Sequence, residues 1–354
     1  MQNGENMKIL ISIMFMLVAT VARADYTMIV PQKPGGGTSV WAQIVATEWE
    51  KHLGERIVIQ HIPGARDIPG FNKWHNEMLN DDKVIMVSHG GNGVSFLQEE
   101  VDYDYRQYAS VGLMNLNIIA AKTRGVDFTT ETVKFAAGSG MVPEAFAMTM
   151  LLCGPDLTVE QYTTCFGNKV RWVNGMSGGQ RRLAFKNGEL NGTRENPAAY
   201  KKHVESNENA ELWFHHGILN SETGDHGDDP NYPGYQFEIL FEKRWGVKPS
   251  GDFYNAYKLV KSFRDGMQKA LWVSKDNPNL DKLVASLHAM SQDPESVAII
   301  KKSVGDYNWK IGANGDAHRD TLMTLVTIDA LDDLVKFNTN ALGLDSVFKP
   351  ELGQ

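Results

Sequence analysis

The chain reads as an α/β protein built in two lobes, each a β-sheet flanked by helices, joined by a hinge. Three observations predict this. From Thr27 onward an apolar strand, a glycine-containing loop and a helix follow one another repeatedly. The order restarts after Ser110 to Ala121, an apolar segment long enough to leave one lobe for another. Finally, about 330 residues remain once a leader is removed, large for one core and comfortable for two. Strand and helix in alternation is the grammar of a sheet covered by helices.

The leader comes first. Lys8 supplies a positive start, Ile9 to Ala19 is an almost unbroken apolar run, and Ala22-Arg23-Ala24 gives the small-x-small pattern of a cleavage site. The run is shorter than the roughly 20 residues that span a bilayer, which argues for a cleaved signal peptide over an anchor. No cysteine sits at the cleavage point, so no lipoprotein anchor is indicated. Residues 1–24 are therefore expected to be removed, with export to the periplasm.

The net charge is −8, and losing the leader makes it one unit more negative. An acidic chain argues against nucleic acid as a partner. It leaves room for an anionic ligand, because a local site can oppose the global charge. The two cysteines, Cys153 and Cys165, either pair in an oxidising compartment or remain as two half-buried thiols. No set of residues has the number and spacing of zinc ligands.

Thr27 to Pro31 reads as a buried strand and Lys33 to Thr38 as a glycine turn. In the helix that follows, Val40, Ile44, Val45, Trp49 and Leu53 share a face. Arg56 to Ile62 is a second strand, Phe71 to Leu79 a helix and Lys83 to Val87 a third strand. After the restart come a strand at Val133 to Ala137 and a helix from Pro143 to Leu152, with Pro143 and Glu144 suited to its first turn. Val170 to Val173 and Leu212 to Leu219 read as strands, and Gln180 to Asn187 as a helix. Further helices are expected at Tyr254 to Leu271, Pro278 to Met290, Pro294 to Val304 and, as one long element, His318 to Asn338. Trp41, Trp49 and Trp74 are expected in cores.

Residues 220–234 are rich in Asp, Gly, Asn and Pro and read as a solvated loop. Their Asp225, Asp228 and Asp229 lack the spacing and closing Glu of an EF-hand, so no metal is assigned. His215 and His216 should point to opposite faces of a strand and cannot chelate one metal together. No nucleophile elbow or clustered acid, base and nucleophile is present, which leaves a secreted α/β hydrolase as the weaker alternative.

The repeated device is a glycine loop that opens a helix: Gly35-Gly36-Gly37, Pro63-Gly64-Ala65, Gly138-Ser139-Gly140 and Gly175 to Gly179. Glycine admits close approach, and free amides at a helix start bind anions. In open sheets the ligand lies beyond the carboxyl ends of the strands. Loops from two lobes facing across a cleft would grip a small dianion at both ends. Gly35-Gly36-Gly37-Thr38 lacks the lysine of a phosphate-binding loop and the third glycine of a dinucleotide fingerprint.

At these loops the chain resembles the substrate-binding proteins of tripartite tricarboxylate transporters, the Bug receptor family. Val30 to Ser39 is similar to that family's "PFPPGGGTD", His61 to Ala65 to "NRPGAGG", and Gly138 to Leu151 to "GSxGxxxHLAAELL". Arg171 to Gly179 resembles "VRYVPYKGG", and Asn187 to Gly192 resembles "RGEVDG". The likeness runs in order from about Tyr26 to Val304. It implies a type II periplasmic-binding-protein-like fold that closes on a small carboxylate and hands it to integral-membrane permease subunits, with no cofactor and no catalysis. By position it assigns Gly36, Gly37, Thr38, Gly64 and Ala65 to one side of the ligand, and Ser139 and Gly140 to the other.

The chain departs from the pattern at three points. Ser39 replaces the usual Asp. Arg66 follows Ala65, either as a bidentate grip on a second carboxylate or as a surface partner of Asp67. Glu144 stands near the family's His, either reading an ammonium or hydroxyl or complementing the helix start. His89 and Asn174, in loops after strands, complete the candidate set. The expected division is lobe 1 at residues 25–122 plus 272–354 and lobe 2 at 123–271, with crossings near Lys122 to Phe128 and Leu271 to Ser274. The protein is expected to be a monomer. A ligand-sensing module for a signalling system would use the same closing cleft.

Overall fold

The computed structural model describes residues 25–138, 142–305, 308–344 and 347–349. Strands β1 (Tyr26–Val30), β2 (Ile57–His61) and β3 (Val84–His89) run parallel with β1 in the middle, connected by helices α1 (Gly37–Leu53) and α2 (Ile68–Lys73). β4 (Tyr108–Asn115) completes the first pass. The chain then builds a second unit from β5 (Ile119–Thr123), β6 (Val133–Ala136), α3 (Pro143–Cys153), α4 (Val159–Lys169), β7 (Val170–Val173) and α5 (Gly178–Lys186). It continues through β8 (Gly192–Glu195), α6 (Pro197–Tyr200), β9 (Ala210–His215), a hairpin of β10 (Ile218–Leu219) and β11 (His226–Gly227), α7 (Phe237–Trp245) and α8 (Asp252–Gly266). β12 (Lys269–Ser274) re-enters the first sheet, followed by α9 (Leu280–Gln292), α10 (Pro294–Val304), β13 (Asn308–Ile311), α11 (Ala313–Met323) and α12 (Ile328–Leu342).

The first sheet has the order β13-β4-β12-β3-β1-β2, with β12 antiparallel to both neighbours. Its central strands are covered on both faces, which is why they read as continuous apolar runs. Met28 and Val30 pack with Trp41, Trp49 and Leu287 on one side, whereas Ile29 packs with Phe71 and Trp74 on the other. β12 divides the same way, Leu271 and Val273 against Ala270 and Trp272.

In the second unit β5 lies between β8 and β9, and β6 pairs parallel with β7. Asn191 joins the two pieces. Its side chain accepts from the Lys134 amide and donates to the Thr132 carbonyl, and its own amide donates to the Lys134 carbonyl. The motif that ends in Asn191-Gly192 thus has a structural task. The chain passes from one sheet to the other between Asn115 and Ile119 and returns through Gly266 to Lys269.

The C-terminal helix α12 lies against α4 and α8, where Phe337 meets Phe146, Phe166 and Phe253 at ring distances of 4.6, 5.4 and 4.9 Å. The tail then returns toward the first sheet. The Glu99 amide donates to the Val347 carbonyl and the Lys349 amide to the Leu97 carbonyl.

Several elements differ from the sequence reading. Ser110 to Ala121, one segment in that reading, divides into β4 and β5, which lie in different sheets. The helix expected to Leu271 stops at Gly266, and Lys269–Ser274 is a buried central strand; a short unbroken apolar run does not distinguish the two by periodicity. The long helix expected from His318 is two helices, with Thr327 capping the second by accepting from the Ala330 amide. Leu212 to Leu219 divides at Gly217 into β9 and β10. In α1, Val40 is exposed and Trp41 takes its place on the buried face. Trp41, Trp49 and Trp74 are all buried in cores, as expected.

Cys153 and Cys165 are joined, tying the end of α3 to α4. In the chain-entropy model a loop of this size gives about 3 kcal/mol. A Cys153→Ala/Cys165→Ala variant should lose about that much in urea unfolding; an unchanged midpoint and slope would show that the crosslink contributes nothing.

Candidate functional site

The four glycine loops are not equivalent, and the difference lies in how each helix start is capped. An α-helix leaves its first amides without intrahelical partners. At α5 they are answered internally: Ser177 and Gln180 form a reciprocal capping box. At α1 the N-cap is Gly36, which has no side chain to offer, and the first turn carries no acid. Gly36 and Gly37 are exposed, whereas Thr38 and Ser39 are buried. Ser39 Oγ accepts from the Gly35 amide at 3.3 Å and lies 3.3 Å from His61 Nε2, so the residue that replaces the family's Asp braces the loop. At α3 the N-cap is Val142, again without a side-chain cap, and Pro143 occupies the first turn. The starts of α1, α2 and α3 thus have no side-chain cap hydrogen bond, unlike that of α5; α3 carries Glu144 in its first turn and α1 carries no acid there.

The loop after β2 is tightly built. A Cβ on Gly64 would lie 2.4 Å from Pro69 Cγ, so only glycine fits. Ala65 begins a short turn in which Arg66 and Asp67 adopt φ of 53° and 63°, left-handed values that cost a non-glycine residue of order 1–3 kcal/mol. Side chains hold this strain in place. Arg66 donates to Gln98 Oε1 and to Glu100 Oε1, the latter at 2.5 Å. Its ion-pair partner is Glu100, not the neighbouring Asp67. Asp67 turns inward instead and lies 2.8 Å from His89 Nε2. His89 Nδ1 accepts from the Gly91 amide, which leaves the proton of a neutral ring on Nε2, facing that carboxylate.

Glu144 is fully buried in the first turn of α3. Arg264 Nη1 donates to its Oε2 at 2.9 Å, and Arg194 Nε and His216 Nε2 lie 3.5 and 3.8 Å from Oε1. Its carboxylate is committed to cations, so it neutralises buried arginine more than it opposes an incoming anion. Burial works against a charged His216, yet the Asp265 carboxylate at 2.8 Å, with Glu144 behind it, raises the imidazole pKa above its ordinary value. Arg264 also reaches the first sheet: a Cβ on Gly90 would stand 1.8 Å from its carbonyl oxygen. The loop after β3 and the start of α3 thus meet at one residue.

Lys269, paired in register with His89, is buried and donates to the Gln268 carbonyl. Burial lowers its pKa to about 8, with the Asp67 carboxylate opposing the shift and Arg264 adding to it. Arg264, Arg194 and Lys269 escaped the sequence reading. Their one local signal is a charged residue in an otherwise apolar segment, Lys269 before Ala270-Leu271-Trp272.

The remaining candidates divide. Asn174 accepts from Trp172 Nε1 and donates to the Leu342 carbonyl, so its side chain docks the C-terminal helix. Ser139 and Gly140 lie outside the described residues. His215 and His216 are both buried and take different partners, His215 the Tyr232 carbonyl at 3.0 Å and His216 the Asp265 carboxylate. Among the described residues no group of three or more His, Cys, Asp or Glu could hold a metal ion.

This architecture defines a class: the chain has the fold of the periplasmic binding proteins. It is similar to the periplasmic binding protein BugD, at 16% identity, covering 91% of this chain and 98% of that one, with a TM-score of 0.54. A TctC solute-binding protein from Polaromonas is similar at 13% identity, covering 89% and 98%, with a TM-score of 0.55. MatC from Rhodopseudomonas palustris, solved with bound malate, is similar at 14% identity, covering 90% and 98%, with a TM-score of 0.53. No protein-family model and no curated protein sequence matches the chain. No helix among the described residues is long and apolar enough to cross a membrane.

Removing one partner of a buried ion pair strands the other charge. Glu144→Ala should destabilise the protein by about 3–5 kcal/mol in urea unfolding, and a Glu144→Met/Arg264→Leu pair by much less. Equal losses in both variants would show that packing, not charge, makes this contact.

Proposed function

We propose that the protein is an extracytoplasmic solute-binding protein that captures a small di- or tricarboxylate between its two units and delivers it to the permease of a tripartite tricarboxylate-type transporter. The observation that carries this reading is the lack of a side-chain cap at the starts of α1 in the first unit and α3 in the second, with Arg264 buried against Glu144 in the first turn of α3 and Lys269 buried in register with His89. One carboxylate of the ligand is held by the amides of Gly37 and Thr38, with Gly64 and Ala65 beside it. The other is held at the start of α3, near Ser139 and Gly140. Arg66 and His89 shape the wall through Glu100 and Asp67. Backbone amides suit a dianion because they are fixed in place and need no counter-charge to be desolvated with them.

Closure of the two units about the crossings at 115–119 and 266–269 would bury the ligand. Export through the leader and cleavage near Ala24 would put the protein where a permease could receive it. The bound malate in MatC supports a C4 dicarboxylate as the first ligand to try.

A thermal-shift panel of malate, succinate, citrate, adipate, glutamate, sugars and phosphates tests the class. A ligand at 100 times its Kd stabilises by about 2.7 kcal/mol, a readable shift. Stabilisation by carboxylates that disappears in Gly37→Trp supports the reading; stabilisation by sugars or amines alone contradicts it. The pH dependence follows from Lys269. Below about 8 its ammonium is charged and attracts an anion; above that it is neutral. Malate affinity should therefore fall as pH rises from 7 to 9 in calorimetric titrations, and Lys269→Met should flatten the profile. A wild-type profile that is flat over this range would remove Lys269 from the site.

A further inference from the structure

A second cavity, of about 440 Å³, lies on the other flank of the hinge. The strand order shows which flank. The clamp loops follow β1, β2 and β3, whereas this cavity is lined by the end of β4 and the start of β13, and β12 separates the two groups. Its walls come from both sheets' surroundings and from the polar segment after β9, so it spans the crossing itself.

Carboxamides recur in the lining, beside apolar side chains and two lysines, Lys201 and Lys301. Asn115 and Asn308 face each other across the β4–β13 ladder, and Asn117 follows in the crossing. Asn117 is 8% exposed and donates through Nδ2 to Asp229 Oδ2 at 2.9 Å. Asp229 Oδ1 is itself occupied by the amide and side chain of Asn231. A carboxylate can only accept, so Asp229 fixes the orientation of the Asn117 amide and leaves its Oδ1 as an acceptor. That oxygen is buried and has no protein partner. Asn115, 9% exposed, presents a further carboxamide. Tyr232, held edge-on by Tyr200, supplies an aromatic wall, and exposed Lys201 supplies a cation at the rim.

We propose that this cavity is a second ligand site, for a small polyhydroxylated carboxylate of the sugar-acid class. Carboxamides donate and accept at one group, as hydroxyls do, so a row of them matches a polyol chain. The buried Asn117 oxygen takes a hydroxyl proton, Tyr232 covers the carbon skeleton and Lys201 pairs with the carboxylate. The volume is within the range of small-molecule pockets. Because the cavity straddles the crossing, its occupant acts on the same hinge that closes the clamp, and the two ligands are linked reciprocally.

Gluconate is the probe, with sorbitol as its uncharged counterpart, titrated calorimetrically into the wild-type protein and into Gly37→Trp, whose clamp loop is blocked. The expected result is gluconate binding that survives Gly37→Trp, is weakened at least about tenfold by Lys201→Glu and by Asn117→Leu, and exceeds sorbitol binding by a similar factor. Lys201 is exposed, so its variant reports on the site even if Asn117→Leu fails to fold. No heat with millimolar gluconate, binding abolished by Gly37→Trp, or binding indifferent to Lys201→Glu each overturns the proposal. Failure of the clamp reading shows separately, as malate binding that Gly37→Trp leaves unchanged.

Discussion

The ion pair between Glu144 and Arg264 is the contact on which the site depends. Glu144 opens the helix after the second unit's glycine loop, and Arg264 closes the helix that leads back to the first sheet. The pair sits in near-complete burial, where an unpaired charge costs several kcal/mol. Arg194, His216 and Asp265 extend it into a network that spreads both signs of charge over the base of the second unit. Through the Arg264 carbonyl, pressed against Gly90, the same residue fixes the loop after β3. One side chain and one carbonyl thus set the spacing between loops that belong to different sheets.

Around that fixed point the helix starts take two roles. α5 closes on itself through Ser177 and Gln180 and supports the sheet without seeking a ligand. α1 and α3 have a glycine and a valine where a capping side chain would stand. The acid that would discourage an anion at α3 is neutralised by Arg264. The strained turn at Arg66 and Asp67 follows the same logic: each side chain is drawn to a partner at or beyond the end of β3, Glu100 for one and His89 for the other, and the backbone is held in a left-handed conformation that neither residue prefers. Asp229, in the acidic loop after β9, acts away from the clamp, where it orients Asn117 at the first crossing.

Much of the fold was legible because its signals are local. A glycine after an apolar strand, a proline in a first helical turn and the alternation of Ile57, Val58 and Ile59 are all read within a few residues. The glycine loops that the sequence reading assigns to the site were readable for the same reason. The arginines were not. Arg264 and Glu144 are 120 positions apart, and nothing near either one indicates that they meet. β12 escaped because a strand buried on both faces loses its alternation, and the Thr327 cap because the apolar stripe runs on past it. The Asn174 side chain, in the loop after β7, docks the C-terminal helix through a partner 168 positions away, which nothing in its own neighbourhood indicates.

The most direct test of the clamp is a crystal structure of the protein grown with malate. The account predicts one carboxylate within hydrogen-bond distance of the Gly37 and Thr38 amides and the other at the start of α3, with the Glu144–Arg264 pair intact beneath it. Malate bound elsewhere, or bound with Arg264 drawn away from Glu144 to become its main partner, would contradict the claim that uncapped helix ends, organised by that pair, hold the ligand.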